Sequence, residues 1–143
     1  MNSRKIIVEI LDNVIKKGAY SNIEINKRFK NSNINDKDRG LITEVVYGTL
    51  KNKKTIDIIL ESFVSGVKDI DEKVVNILRS AIYQIKYLDR IPSYAVVNES
   101  VNLAKIRAKS LSSFVNGVLR NYLRNLDKDY KKGLTDMESL EYY

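Results

Sequence analysis

The sequence predicts an all-α fold, a compact bundle of six to seven helices, and three observations carry that reading. Apolar residues recur at three- and four-residue intervals in segment after segment, the spacing that lines one side of a helix. Alternation at period two, the mark of a half-buried strand, is almost absent. The breakers are few and scattered: one proline, Pro92, and six glycines that never cluster.

Each element follows from its own pattern. Ile6, Ile7, Ile10, Leu11 and Val14 draw the first stripe. Gly18 ends it, since glycine takes the left-handed conformation that closes a helix. A second, short helix starts at Ser21, whose hydroxyl and Glu24 have the S-x-x-E spacing of a capping box. Polar residues from Asn31 to Asn35 read as a loop. From Asp36 a long pattern runs through Ile42, Val45, Val46, Thr49 and Leu50 and resumes at Ile56, Ile59, Leu60 and Phe63, with a kink expected at Asn52. Tyr47 and Gly48 lie off that stripe, so this helix is expected to pack on two sides. The pattern stops near Gly66.

Asp71 and Glu72 open the next helix, where acidic side chains complement the dipole, and Val74, Ile77, Leu78, Ala81, Ile82, Ile85 and Leu88 line its core face. Pro92 separates it from a helix over Tyr94–Ile106, for which Ser93 is the expected N-cap and Val96, Val97, Ser100, Val101 and Ala104 the stripe. A basic loop, Arg107 to Ser110, leads into the last helix, SSFVNGVLRNYLR, with its stripe of Phe114, Val115, Val118, Leu119, Tyr122 and Leu126. The helical domain is expected over residues 1–126. Residues 127–143, DKDYKKG and TDMESLEYY, read as a charged linker or tail.

Composition narrows the chemistry. The 143 residues fit one domain, long enough to bury roughly two thirds of its unfolded surface. Lys plus Arg number 25 against 18 Asp plus Glu, a net charge of +7 that favours polyanionic partners such as nucleic acid, although a basic surface also serves solubility alone. There is no cysteine and no histidine. Disulfides, thiolate nucleophiles and imidazole bases are therefore excluded, and the usual zinc ligands are missing. The first apolar run is broken by Glu9 and Asp12, so it is neither a signal peptide nor a membrane span; the cytoplasm is the expected location and no membrane is an expected partner. A phosphate-cradling loop needs neighbouring glycines, and Gly18, Gly40, Gly48, Gly66, Gly117 and Gly133 are far apart, so no dinucleotide or adenosylmethionine loop is visible. Asp36, Asp38, Glu44 and Glu99 sit in ordinary amphipathic helices without a companion base or metal set. No catalytic and no metal-binding residue is expected.

Binding features are richer. Asn116, Gly117, Arg120 and Arg124 fall opposite the stripe of the last helix, and a glycine there costs about 1 kcal/mol against alanine. Something approaches that face closely: a second helix packed at Gly117, or a ligand or RNA backbone. Arg79, Tyr83, Lys86, Tyr87 and Arg90 line a flank of the helix that opens at Asp71, and alternating cations with aromatics suits base stacking and phosphate pairing. The other reading is a tyrosine rim over the core, with Arg79 held by a buried carboxylate. Lys51, Lys53 and Lys54 form one further basic cluster, and Lys105, Arg107 and Lys109 another.

Three segments together, DRGLITEVVYGTL (Asp38–Leu50), NILRSAIYQIKYLDRIPSYAVVNESVNLAK (Asn76–Lys105) and FVNGVLRNYLR (Phe114–Arg124), resemble the all-helical NusB-like RNA-binding domain. The resemblance covers roughly residues 3–126. It is closer still to the N-terminal domain of bacterial ribosomal RNA cytosine-C5 methyltransferases of the RsmB (Sun, Fmu) type, through DRIPSYAVVNESV and GAYSN (Gly18–Asn22). This resemblance implies two small helical subdomains, engagement of small-subunit ribosomal RNA, and a catalytic domain in cis, beyond this sequence, that binds S-adenosylmethionine and supplies cysteines. The chain alone would be no enzyme. The other branch is the free-standing NusB transcription antitermination factor, which implies RNA bound together with a ribosomal protein. Its counterpart of FVNGVLR usually carries an acidic residue where this chain has Arg120. Family arginines are commonly found where Lys51 to Lys54 stand, and lysine keeps the charge but loses the bidentate fork.

Overall fold

A computed structural model of the chain describes residues 2–127, and among them every regular element is helical. The order is α1 (Ser3–Lys17), α2 (Ser21–Asn31), α3 (Asp36–Lys51), α4 (Lys53–Leu60), a 3₁₀ turn (Val67–Asp69), α5 (Glu72–Tyr87), α6 (Ser93–Ala108), a second 3₁₀ turn (Lys109–Leu111) and α7 (Ser112–Arg124). The tail predicted from residue 127 lies, Asp127 aside, outside the described residues. No helix of the described residues is long and apolar enough to cross a membrane.

Local chemistry sets most boundaries. The side chain of Asn2 accepts from the amides of Arg4 and Lys5 at the start of α1. At its end Gly18 adopts φ 74°, its amide donates to the Val14 carbonyl at 3.2 Å, and the Ala19 amide donates to the Asn13 carbonyl at 3.0 Å. The kink at Asn52 is a full break between α3 and α4, where the Asn52 side-chain amide donates to the Gly48 carbonyl at 2.8 Å. Asp71 caps α5 by accepting from the Lys73 amide at 2.8 Å.

Two predicted caps are corrected. A capping side chain must sit on an extended residue just outside the helix. Tyr20 and Pro92 occupy those positions, so Ser21 and Ser93 are already helical and neither α2 nor α6 has a side-chain cap. Glu24 turns to α1 instead and accepts from Asn13 Nδ2 at 2.7 Å. That bond, more than any other cause, holds the Glu24 carboxyl below its ordinary range. The basic loop is corrected as well, because Arg107 and Ala108 complete the last turn of α6 and Lys109–Leu111 are 3₁₀.

α1, α2 and α3 pack on one another, as do α5, α6 and α7, and α5 touches α1, α3, α4, α6 and α7. The two groups share a single hydrophobic core. α5 is its axis: every residue from Val74 to Gln84 is buried, including the polar Asn76, Arg79, Ser80 and Gln84. The one-sided stripe predicted for this helix understates that position, since a helix enclosed on all sides must also find partners for its polar residues.

Candidate nucleic-acid interface

The predicted cations divide into those bound within the fold and those directed outward. Arg79 is bound. Its Nε and Nη2 donate to Asp57 Oδ1 and Oδ2 at 2.8 and 3.2 Å, its Nη1 donates to Asn76 Oδ1 at 3.0 Å, and the residue is only 7% exposed. The geometry supports the buried-carboxylate reading of Arg79. Arg107 is also anchored, donating to Asp12 Oδ2 at 2.6 Å across to α1. Arg90 is exposed and ion-paired with Glu44.

Four cations remain on the α6–α7 side. Lys105, Lys109, Arg120 and Arg124 are exposed, and none makes an ion pair with a described residue. The cause is written in the composition: residues 100–126 carry Lys105, Arg107, Lys109, Arg120 and Arg124 and no Asp or Glu at all. That acid-free run was readable in the sequence as a plain count, yet periodicity draws the eye to stripes and not to absences. α7 also starts without a side-chain cap or an acidic residue in its first turn, and the Ser112 amide donates to the Lys109 carbonyl.

Gly117 lies on this face, and the packed-helix reading of it is overturned. A Cβ built there meets nothing within 4 Å, and the residue is exposed. Asn116 does not bond a neighbouring helix either; its Oδ1 accepts from Arg120 Nε at 3.1 Å and so orients that guanidinium. The close approach occurs at Gly48, where a built Cβ would lie 2.0 Å from Cζ of Tyr83 on α5. α3 thus packs on two sides, as expected.

Lys51, Lys53 and Lys54 line an open depression of about 540 Å³ together with Asp57 and Glu61. Lys53 is 3.2 Å from Asp57 Oδ2, so part of this positive charge is neutralised in place.

Two packed helical groups around one buried central helix define the NusB fold. The structure described as "Crystal Structure of Antitermination Factors NusB and NusE in complex with dsRNA" matches with a TM-score of 0.76 at 21% identity, over 83% of this chain and 91% of that one. The model described as "NusB family" matches residues 1–124, and the chain belongs to that family. Among its relatives, the probable ribosomal RNA small subunit methyltransferase B of Bacillus subtilis (strain 168) is 42% identical over 122 residues, 85% of this chain and 27% of the relative. The transcription antitermination protein NusB of Acetivibrio thermocellus is 34% identical over 120 residues, 82% of this chain and 83% of that protein. The chain thus spans about a quarter of the length of the methyltransferase it matches.

Proposed function

We propose that this chain is an RNA-binding domain, and that it serves as the N-terminal domain of a small-subunit ribosomal RNA cytosine-C5 methyltransferase in the cytoplasm. One observation carries the RNA reading: the acid-free α6–α7 segment, which presents Lys105, Lys109, Arg120 and Arg124 with no competing carboxylate of its own. Phosphate oxygens supply the charge those groups lack, and releasing counterions from the RNA drives the association. Methyl transfer, adenosylmethionine and the cysteine nucleophile belong, in this reading, to a catalytic domain in cis. The higher identity to the Bacillus relative and Arg120 within FVNGVLR favour this branch.

A second reading is a free-standing antitermination factor that binds RNA with a ribosomal protein. It is favoured by the match over 83% of the Acetivibrio protein's length.

The test is a salt titration of binding to a small-subunit ribosomal RNA fragment. Wild type is compared with Lys105→Glu/Lys109→Glu, Arg120→Ala/Arg124→Ala and Lys51→Glu/Lys53→Glu. Each lost phosphate contact should reduce the log–log slope by roughly 0.7 to 0.9, so the first two variants flatten it most. Equal slopes in all four proteins overturn the assignment to α6–α7, and no binding at low salt overturns the RNA reading. Coding sequence beyond Tyr143 that specifies a glycine-rich nucleotide loop and two cysteines decides for the methyltransferase; a stop codon decides for the antitermination factor.

A further inference from the structure

α7 turns one face to solvent. Ser113, Phe114, Gly117, Arg120 and Arg124 are all exposed, and at about 100° per residue they fall on one side of the helix. Phe114, 37% exposed, forms one edge of that strip, and Arg120 and Arg124 form the other. Between them Gly117 leaves open space where another residue would carry a side chain. Neither arginine meets a carboxylate of the described residues. A segment that mixes acidic with apolar side chains matches the arginines and the phenylalanine together. The chain contains one. Residues 134–143, LTDMESLEYY, carry Asp136, Glu138 and Glu141 and no cation, interspersed with Met137, Leu140, Tyr142 and Tyr143. Their charge mirrors that of residues 100–126, which carry five cations and no acid. The intervening residues 127–133 hold both signs, two aspartates and three lysines.

We propose that residues 134–143 dock on the exposed face of α7, their carboxylates on Arg120 and Arg124 and an apolar side chain on Phe114, and so compete with RNA for that face. The competition rests on the RNA reading above; the docking does not. Reach permits it. Seven linking residues span up to roughly 23 Å when extended, and the 13 residues of α7 measure roughly 20 Å along its axis. A short tether raises the effective concentration into the millimolar range, so contacts that are weak singly act together. RNA must then displace carboxylates already in place, which excludes polyanions that bind only weakly.

The experiment uses the full chain. It has no cysteine, so Ser139→Cys creates a single site for a nitroxide label. At low salt the label should broaden the backbone amide resonances of Gly117, Arg120 and Arg124, and the effect should fade at about 1 M salt, where the screening length falls to about 3 Å. Adding Asp136→Asn/Glu138→Gln/Glu141→Gln to the labelled chain, or Arg120→Ala/Arg124→Ala, should abolish it. Without the label, the neutral-segment variant should bind a small-subunit ribosomal RNA fragment about 3- to 30-fold more tightly than wild type at low salt. Asp36→Asn/Asp69→Asn/Asp89→Asn removes three exposed carboxylates elsewhere and should gain less. No broadening on α7, or broadening that persists in the neutral-segment chain, overturns the docking. Equal RNA affinity of wild type and the neutral-segment variant overturns the competition, and so does an equal gain in the control variant, which reduces the effect to net charge. Failure of every protein to bind RNA overturns the RNA reading and the competition with it, while the label still decides the docking.

Discussion

Arg79 on α5 grips both carboxylate oxygens of Asp57 on α4, Nε to Oδ1 at 2.8 Å and Nη2 to Oδ2 at 3.2 Å. The planar fork gives two parallel bonds, a geometry that lysine cannot copy. From Arg79 the chain of bonds runs on through Asn76 to Asp12 and from there to Arg107, so one polar network ties α4, α5, α1 and α6 together. Removing one partner of such a pair leaves the other buried without compensation. Asp57→Ala should therefore cost about 3 to 5 kcal/mol, read as a lower urea midpoint with an unchanged slope. An Asp57→Leu/Arg79→Met double variant should lose less than Asp57→Ala, because no charge is left stranded. A wild-type midpoint for Asp57→Ala would refute the structural role.

The two off-stripe glycines should respond in opposite directions. At Gly48 an added methyl would meet the Tyr83 ring at 2.0 Å, so Gly48→Ala should destabilise by roughly 1 to 3 kcal/mol through overpacking. At Gly117 the same methyl meets nothing, and Gly117→Ala should stabilise by up to about 1 kcal/mol through helix propensity. Thermal unfolding of the two variants checks both signs. A Gly117→Ala protein that is more stable but binds RNA less tightly would place the RNA backbone at that position.

These glycines also mark what the sequence could convey. Each sits off a helical stripe, which says that a face matters without saying what meets it; that depends on whether another helix happens to lie opposite. Gly18, Asn52 and Asp71 were legible because their effects stay within one turn of the chain. Ser21 and Ser93 misled because the capping residue is decided by backbone conformation, and Tyr20 and Pro92 took the extended positions. On α5, periodicity picked out the apolar half of a helix buried all round, since the partners of Asn76 and Arg79 come from α1 and α4. The cations of the candidate interface could be counted from the sequence. Which of them are already paired could not, for Arg107 meets Asp12 across 95 residues.

Tyr83 gives the protein an alkaline limit. Burial beneath α3 pushes its hydroxyl above the ordinary value of 10.0, and the nearby Glu44 charge adds to the rise while Arg90 opposes it. A folded pKa above the unfolded one favours the neutral phenol, so this contribution is complete below about pH 10 and is lost as pH rises through the folded value. Tyr83→Phe removes the titrating group. Its denaturation midpoint should fall less than that of wild type between about pH 9 and about pH 11. Identical pH profiles would show that the hydroxyl does not titrate with folding.

Arg107 separates the fold from the interface most sharply. It lies in a basic, acid-free segment of the chain, between Lys105 and Lys109, and charge alone would make it a phosphate contact. Its guanidinium instead meets Asp12 Oδ2 at 2.6 Å, with both side chains mostly buried, and it also reaches the Lys73 carbonyl at 3.4 Å. A group held this way positions the end of α6, and through it the turn that carries Lys109. Arg107→Ala should lower stability by about 1 to 3 kcal/mol, since Asp12 would lose one of its donors. The salt slope of RNA binding should remain that of wild type, because no counterion-releasing contact is removed. Asp12→Asn should weaken the same anchor from the other side, again with an unchanged slope. If Arg107→Ala instead flattens the slope by roughly 0.7 to 0.9 and leaves the urea midpoint in place, Arg107 belongs to the RNA surface and the anchor assignment falls.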